Sequence, residues 1–424
     1  MAFRAGFASL PVTPPVPGPM GGYVAREGLS EGVHDDLWAR AVVLESARVK
    51  AGLLLVDLVA APRSLVEEVR REAGPRLDVS PENLVVAATH THSGPAVGAF
   101  PPDPDPRYLS WLAETLADAL SKADGDLSPA RVGWAEAIAD GVAANRRDPD
   151  IAADPRVRCI AVWGEDGDLR GLLLNHACHP TVLGPSNRRI SADFPGAAME
   201  VLRAGLGDGV WAAYAQGAAG DVSCRFTRRG QTFEEVSRLG VIVGEAGLEG
   251  ADRAERTAGD PLLVASRTVS LPVRSFPSRQ ETASKLEDAR RRLEEVARSG
   301  ADPATLRLAE SLAEGYTAEL LLGERRDALE TEAEVTAIRL GDAVLVTIPG
   351  ELFTSVGRAI RERSPMQHTM VLGYAGGYIG YVPDRPAYES GGYEALVSWL
   401  EPTAADLLVD VAAGLLTELA GRSV

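Results

Sequence analysis

The 424-residue chain predicts an α/β fold: a mixed, largely buried β-sheet core flanked by helices, with an inserted helical hairpin. Three observations predict it. Short apolar runs rich in Leu, Val and Ala recur along the chain, as strands buried on both faces do. Amphipathic stretches of helical period lie between them, the alternation that builds layered α/β domains. One long charged segment, from Pro277 to about Glu334, breaks the alternation with an almost purely helical pattern. A hydrophobic content of 45% suffices for a real core, and 424 residues suit one large domain or two ordinary ones.

In chain order, strands are expected over 40–46 (RAVVLES), 52–58 (GLLLVDL), 84–89 (LVVAAT), 158–163 (RCIAVW), 171–175 (GLLLN), 210–215 (VWAAYA), 335–340 (VTAIRL), 343–348 (AVLVTI) and 369–374 (TMVLGY). Helices are expected around 64–74, 107–122, 195–206, 234–249, 352–363 and 403–419. In the charged segment, Ala283, Leu286, Ala289, Leu293 and Val296 recur at three- and four-residue spacing. Gly300 stops that helix, and Asp302-Pro303 starts a second one running through Leu306, Leu312 and Leu320. This hairpin, about 277–334, reads as a packing or dimerisation arm rather than a substrate lid. The oligomeric state itself is not written in the sequence.

A net charge of −17 and a pI near 4.9 argue against nucleic acid and anionic membrane as partners. No apolar run approaches the ~20 residues that cross a bilayer, and the first twenty residues break into Pro and Gly without a signal-peptide core, so a cytoplasmic protein is expected. The three cysteines, Cys159, Cys178 and Cys224, have no CxxC spacing, which excludes a disulfide framework and a thiolate zinc cage.

Four of the six histidines fall in two phrases, ATHTHSGP (His90, His92) and NHACHPT (His176, His179), each directly after an apolar run. Strand ends are where α/β proteins keep their chemistry, and imidazole is both the commonest metal ligand and the usual proton carrier near neutrality. In an extended HTH segment the two side chains point to one side, so one can bind a metal while the other touches substrate. In the second phrase Pro180 favours a loop, and His179 is the better ligand; His176 reads as a second hydrogen-bonding layer or core. QGAAGDVS, residues 216–223, follows a third strand, and its small residues let backbone approach a ligand closely. Glu351, after Pro349-Gly350, offers an acidic ligand or base. Tyr374, Tyr378 and Tyr381 lie among glycines at a fifth strand end, where phenols line a pocket, coordinate a metal or supply a proton. Two histidines, one carboxylate and an open position form a hydrolytic zinc ligand set. His92, Asp193 and Tyr381 are candidates for the acid or base such a site needs. A metal-free acyl hydrolase using Cys178 or Ser223 as nucleophile is the alternative chemistry.

HTHSGP at 90–95, CHPT at 178–181, AQGAAGDVS at 215–223, PGE at 349–351 and GYVP at 380–383 occur in this order and resemble the neutral/alkaline, non-lysosomal ceramidase family. GVHDDLWARAVVL at 32–44, ANRRDPD at 144–150 and ISADFPG at 190–196 add to the resemblance, which spans nearly the whole chain. It implies a zinc-dependent hydrolase acting on an N-acyl amide, such as a sphingolipid, by attack of metal-bound hydroxide on the carbonyl. It further implies His90, His179, Glu351 and Tyr381 as zinc ligands. His92 and Arg146 would face the substrate carbonyl, and Ser223 would occupy a serine position of the active-site motif. The typical family member is longer, with a C-terminal β-sandwich, so by this resemblance residues 1–424 are expected to form a single zinc-hydrolase catalytic domain without that β-sandwich. The sequence also departs from the family in lacking the Asp-Asn pair at ISADFPG and in having DVSCR for an expected Ser-Pro-Asn ending. Those departures touch ceramide selection more than the metal site, so a smaller, polar N-acyl compound or an ester is also a candidate substrate.

Overall fold

A computed structural model describes residues 3–47, 49–98, 101–148 and 150–422, so Met1, Ala2 and Pro149 of the ANRRDPD phrase lie outside the described residues, as do the side chains of 303 and 304. Two sheets form the interior. The larger has eight strands in the order Trp211–Gln216, Leu169–His176, Arg156–Gly164, Ser128–Ile138, Arg4–Pro11, Trp38–Ser46, Val49–Val56 and Leu84–Ala88. It is parallel only at its two edges, where Trp211–Gln216 runs beside Leu169–His176 and Val49–Val56 beside Leu84–Ala88. The smaller sheet orders Leu262–Ser270, Glu332–Leu340, Ala343–Thr347 and His368–Leu372, with only its last pair parallel.

The inner faces of the sheets share one apolar layer. Leu53, Leu55, Val85, Ile160 and Leu173 from the larger sheet meet Ile338, Leu345, Met370 and Leu372 from the smaller. Helices cover the outer faces: Arg63–Leu77 and Pro106–Gly125 lie on one part of the large sheet, and Asp193–Leu206 and Phe233–Arg253 on another. Ala404–Gly421 lies on the small sheet. Each buries one stripe at helical spacing, as Leu65, Val66, Val69, Ala73 and Leu77 do in the first. The expected mixed core is therefore split into two sheets packed face to face, a division that periodicity does not carry.

The nine expected strands and six expected helices are all present within a few residues. Three long strands were not expected: Arg4–Pro11, Ser128–Ile138 and Leu262–Ser270. Each has a wet face, and the first two are interrupted by Gly6 and Gly133, so none reads as a continuous apolar run.

The hairpin consists of Arg279–Arg298 and Pro303–Glu324. Ser278 and Glu281 form a capping box at its start, and Gly300 turns the chain at φ +67°. Its last expected residues belong elsewhere, since the strand Glu332–Leu340 begins inside the range assigned to the hairpin. The arm also borders cavities. Its second helix lies against the short helix Tyr393–Val397, and one face of it lines two cavities.

Candidate metal centre

The ends of five strands meet at one place. His90 follows Leu84–Ala88, His179 follows Leu169–His176, Gly217–Ser223 follows Trp211–Gln216, Glu351 follows Ala343–Thr347, and Tyr374 to Tyr381 follow His368–Leu372. Backbone bonds stitch these loops together: Tyr374 O accepts from Ala88 N, Gln216 O accepts from Gly373 N, and Leu352 O accepts from Gly220 N.

His90 departs from expectation. The HTH segment is not extended, because His90 sits in the left-handed region at φ +70°. Its N–H donates to Leu58 O and its Nδ1 to Val59 O, contacts that hold the uncommon conformation. His90 and His92 still converge, with their Nε2 atoms 3.1 Å apart, through this turn rather than through strand alternation.

His90 and His179 are nearly inaccessible, at 1% and 0% exposure. Nδ1 of His179 lies 2.6 Å from Ala219 O. A carbonyl only accepts, so in both rings Nδ1 carries the hydrogen and Nε2 presents a bare lone pair. Backbone carbonyls commonly orient metal-ligating histidines in this way. Glu351 Oε2 lies 3.0 Å from His179 Nε2 and 3.4 Å from His90 Nε2. The phenols of Tyr378 and Tyr374 donate to the same carboxylate. The Nε2 atoms of His90, His92 and His179 form a group within 4.8 Å of one another that could hold a metal ion. Bare imidazole nitrogens and a carboxylate facing a common point repel one another, and a cation resolves that conflict. The donors fit a metal.

The electrostatics agree with that fit. Burial, then the Arg146 cation, pushes His179 down to about 3, so the ring is neutral. Burial also takes His92 well below the usual histidine range, helped by His90 and His179.

Tyr381 OH lies 3.3 Å from His179 Nε2 and accepts a hydrogen bond from Arg146 Nη2 at 2.8 Å. Arg146 is buried, its Nη2 also donates to Gly220 O, and its Nε lies 2.9 Å from Glu394. His92 is half-buried, and its Nδ1 has no partner among the described residues. The site thus gathers His90, His92, His179, Glu351, Tyr381 and Arg146.

Ser223 is buried behind it, and its hydroxyl accepts from Arg225 N rather than facing a histidine. The Cys178 thiol donates to the carbonyls of Val142 and His179, and burial raises it well above the usual range. Neither is placed as an activated nucleophile. His176 Nδ1 bonds Arg156 O, and its ring stays outside the cluster. Asp193, at φ +56°, accepts from Leu183 N and Phe194 N and so pins the loop after His179 instead of serving as an acid.

Sequence reasoning missed three residues. The Tyr23 ring lies tilted against His92 with centroids 4.9 Å apart, Arg26 donates to His92 O, and Glu394 holds both Arg146 and Arg147. The first two sit in a glycine-flanked loop far from any strand end, and Glu394 starts a five-residue helix, so no local pattern marks them.

Two cavities meet at His92, Tyr381, Tyr393 and Tyr23. One, of about 480 Å³, is floored by His90 and Glu351 and walled by Leu321, Leu322, Leu329, Val397 and Trp399. The other, of about 270 Å³, is polar. Both volumes are near the range of small-molecule sites, which starts at about 300 Å³.

Fold and site together define an α/β protein with a candidate metal centre at converging strand ends, opening into an apolar cavity. No protein-family model matches the chain. The curated neutral ceramidase of Pseudomonas aeruginosa is 25% identical over 475 aligned residues, covering 93% of this chain and 69% of that protein. A solved structure described as ceramidase complexed with C2 superposes with a TM-score of 0.79 at 19% identity, over all of this chain and 76% of the other. The crystal structure of the Pseudomonas aeruginosa neutral ceramidase gives 0.77 at 21%, over 99% and 74%. The chain is thus similar in sequence to a neutral ceramidase, and it shares the fold of these structures over nearly its whole length. Among the described residues, no helix is long and apolar enough to cross a membrane.

Proposed function

We propose that the protein is a zinc-dependent amidohydrolase that cleaves linear N-acyl amides into a carboxylate and an amine. One observation carries the reading: the Nε2 atoms of the histidine cluster and the Glu351 carboxylate converge where an apolar cavity begins. An all-nitrogen-and-oxygen donor set suits zinc. His90, His179 and Glu351 would hold the ion, with the Tyr381 phenol beside them; when bound, it supplies Lewis acidity for a carbonyl and for water.

The remaining work falls to side chains on the page. Arg146, locked by Glu394 and Gly220 O, presents a fixed cation to charge developing on the carbonyl oxygen. His92, with a free ring nitrogen at the mouth of both cavities, holds and passes the proton that the departing amine takes up. Leu321, Leu322, Val397 and Trp399 seat the acyl chain and exclude water from the reacting bond. The name of its relatives makes ceramide the first substrate to try.

The test is metal content and turnover on the same preparation, against N-acyl amides from N-acyl sphingosine to short N-acyl amino acids. About one zinc per chain, loss of hydrolysis on chelation and recovery with zinc are expected. Full hydrolysis by protein stripped of metal would overturn the reading.

A further inference from the structure

The second cavity carries a charge pattern at odds with the rest of the molecule. The chain as a whole has a net charge of −17, yet this cavity is lined by Arg146, Arg225, Arg228 and Arg307. The carboxylates nearby are committed: Glu310 and Glu314 hold Arg307, and Glu394 is shared between Arg146 and Arg147. Arg228 is anchored through Nη1 to the carbonyls of Thr181 and Val182, with no carboxylate partner. The Arg225 guanidinium has neither a hydrogen bond nor an ion pair among the described residues. Burial, then the neighbouring Arg146 and Arg307 cations, depress it to about 10, so it remains charged at neutral pH, and Glu394, already paired with Arg146 and Arg147, attracts it without touching it. A second, independent vacancy lies on the same wall. Ser311, 6% exposed, has a hydroxyl with no partner among the described residues. Buried polar groups are normally satisfied, so the unpaired Ser311 hydroxyl, on the same cavity wall as the half-buried, unpaired Arg225 guanidinium, marks the complement of a missing ligand.

We infer that this cavity binds an acidic group on the amine side of the substrate, so that the enzyme's preferred substrates are N-acyl amino acids or similar N-acyl acids. The inference rests on the proposed amidase reading. The two cavities meet at His92 and Tyr381, so an amide at the metal centre directs its apolar acyl chain into one and its amine portion into the other. Hydrolysis adds water across the C–N bond. The acyl carbon gains the oxygen, and the amino acid nitrogen leaves with the proton.

The test compares N-dodecanoylglycine, N-dodecanoyltaurine and the uncharged N-dodecanoylglycinamide, by release of dodecanoic acid from metal-loaded protein and by calorimetric binding to metal-free protein. An anion is expected to gain roughly tenfold or more in kcat/KM over the amide, the scale of a desolvated charge pair. In Arg225→Gln that ratio should fall toward one, and Arg225→Lys should keep most of it. Glycinamide turned over and bound as well as both anions would overturn the inference while leaving the amidase reading intact. Arg225-dependent anion binding without hydrolysis of any compound would sustain it and sink the amidase reading instead.

Discussion

The floor and the roof of the site are built differently. On the floor, every group at the cluster except His92 is held by something rigid: His90 and His179 by backbone carbonyls, Glu351 by two phenols, and Arg146 by a carboxylate and a carbonyl. These residues hang from strand ends inside the main core. The roof is the second hairpin helix, whose own apolar cluster with the first helix is small and separate, with Leu286, Ala289 and Ala313 its buried members. Along that helix Arg307 and Ser311 face the polar cavity and Leu321 and Leu322 the apolar one. The contrast separates chemistry, which needs fixed geometry, from selection, which tolerates changes on one helix face.

The largest effect that would test this division is on the floor. Glu351→Gln and His179→Ala are expected to lower kcat/KM by roughly 10³-fold or more, given the several kcal/mol a metal contributes to the transition state, and to lose zinc by metal analysis. His92→Ala, whose ring lacks a backbone anchor, should retain most of its zinc while losing turnover; equal zinc loss would move it among the ligands. Arg146→Ala should cost about 10²- to 10³-fold in kcat, as removal of an oxyanion donor does, with a lowered melting temperature because Glu394 keeps only Arg147.

Acid sharpens the comparison. His179 is held at about 3 in the fold against 6.5 in an unfolded chain, so the unfolded state binds more protons between those values. Metal-free protein should therefore lose stability as pH falls from 6.5 toward 3, by calorimetry. A flat profile across that window would mean the ring is not buried as described.

Smaller effects follow from packing. A Cβ on Gly220 would stand 2.4 Å from Glu351 O, so Gly220→Ala should destabilise by about 1–3 kcal/mol in denaturant and lower activity with it. Leu321→Ala on the roof should change stability by no more than about 0.5 kcal/mol, since the side chain is 37% exposed, and raise KM for long acyl chains several-fold. Zinc loss in that variant would break the division between floor and roof.

Much of this was legible in the chain itself. Apolar runs followed by polar, small or imidazole-bearing residues mark strand ends, and a strand end obliges its next residues to leave the sheet at the edge where other loops gather. That is why the His90–His92 pair, His179, Glu351 and the phenols of Tyr374, Tyr378 and Tyr381 could be named without coordinates, whereas the choice of His90 and Tyr381 as ligands came from the family resemblance. Arg146 and Ser223 were named only through the family resemblance. Tyr23, Arg26 and Glu394 escaped because their partners lie 66 or more residues away and their own neighbourhoods show no pattern.

The sequence by itself determined the element types, the strand ends and the residue types that meet there, because hydrophobic period and turn chemistry are local. Only the tertiary structure decided that the core is two sheets, that His90 turns through a left-handed conformation, and that the hairpin roofs two unlike cavities. Each of these is settled by which distant surfaces bury one another. Burial energy depends on the area removed from water, and nothing in a local window of sequence reports its partner.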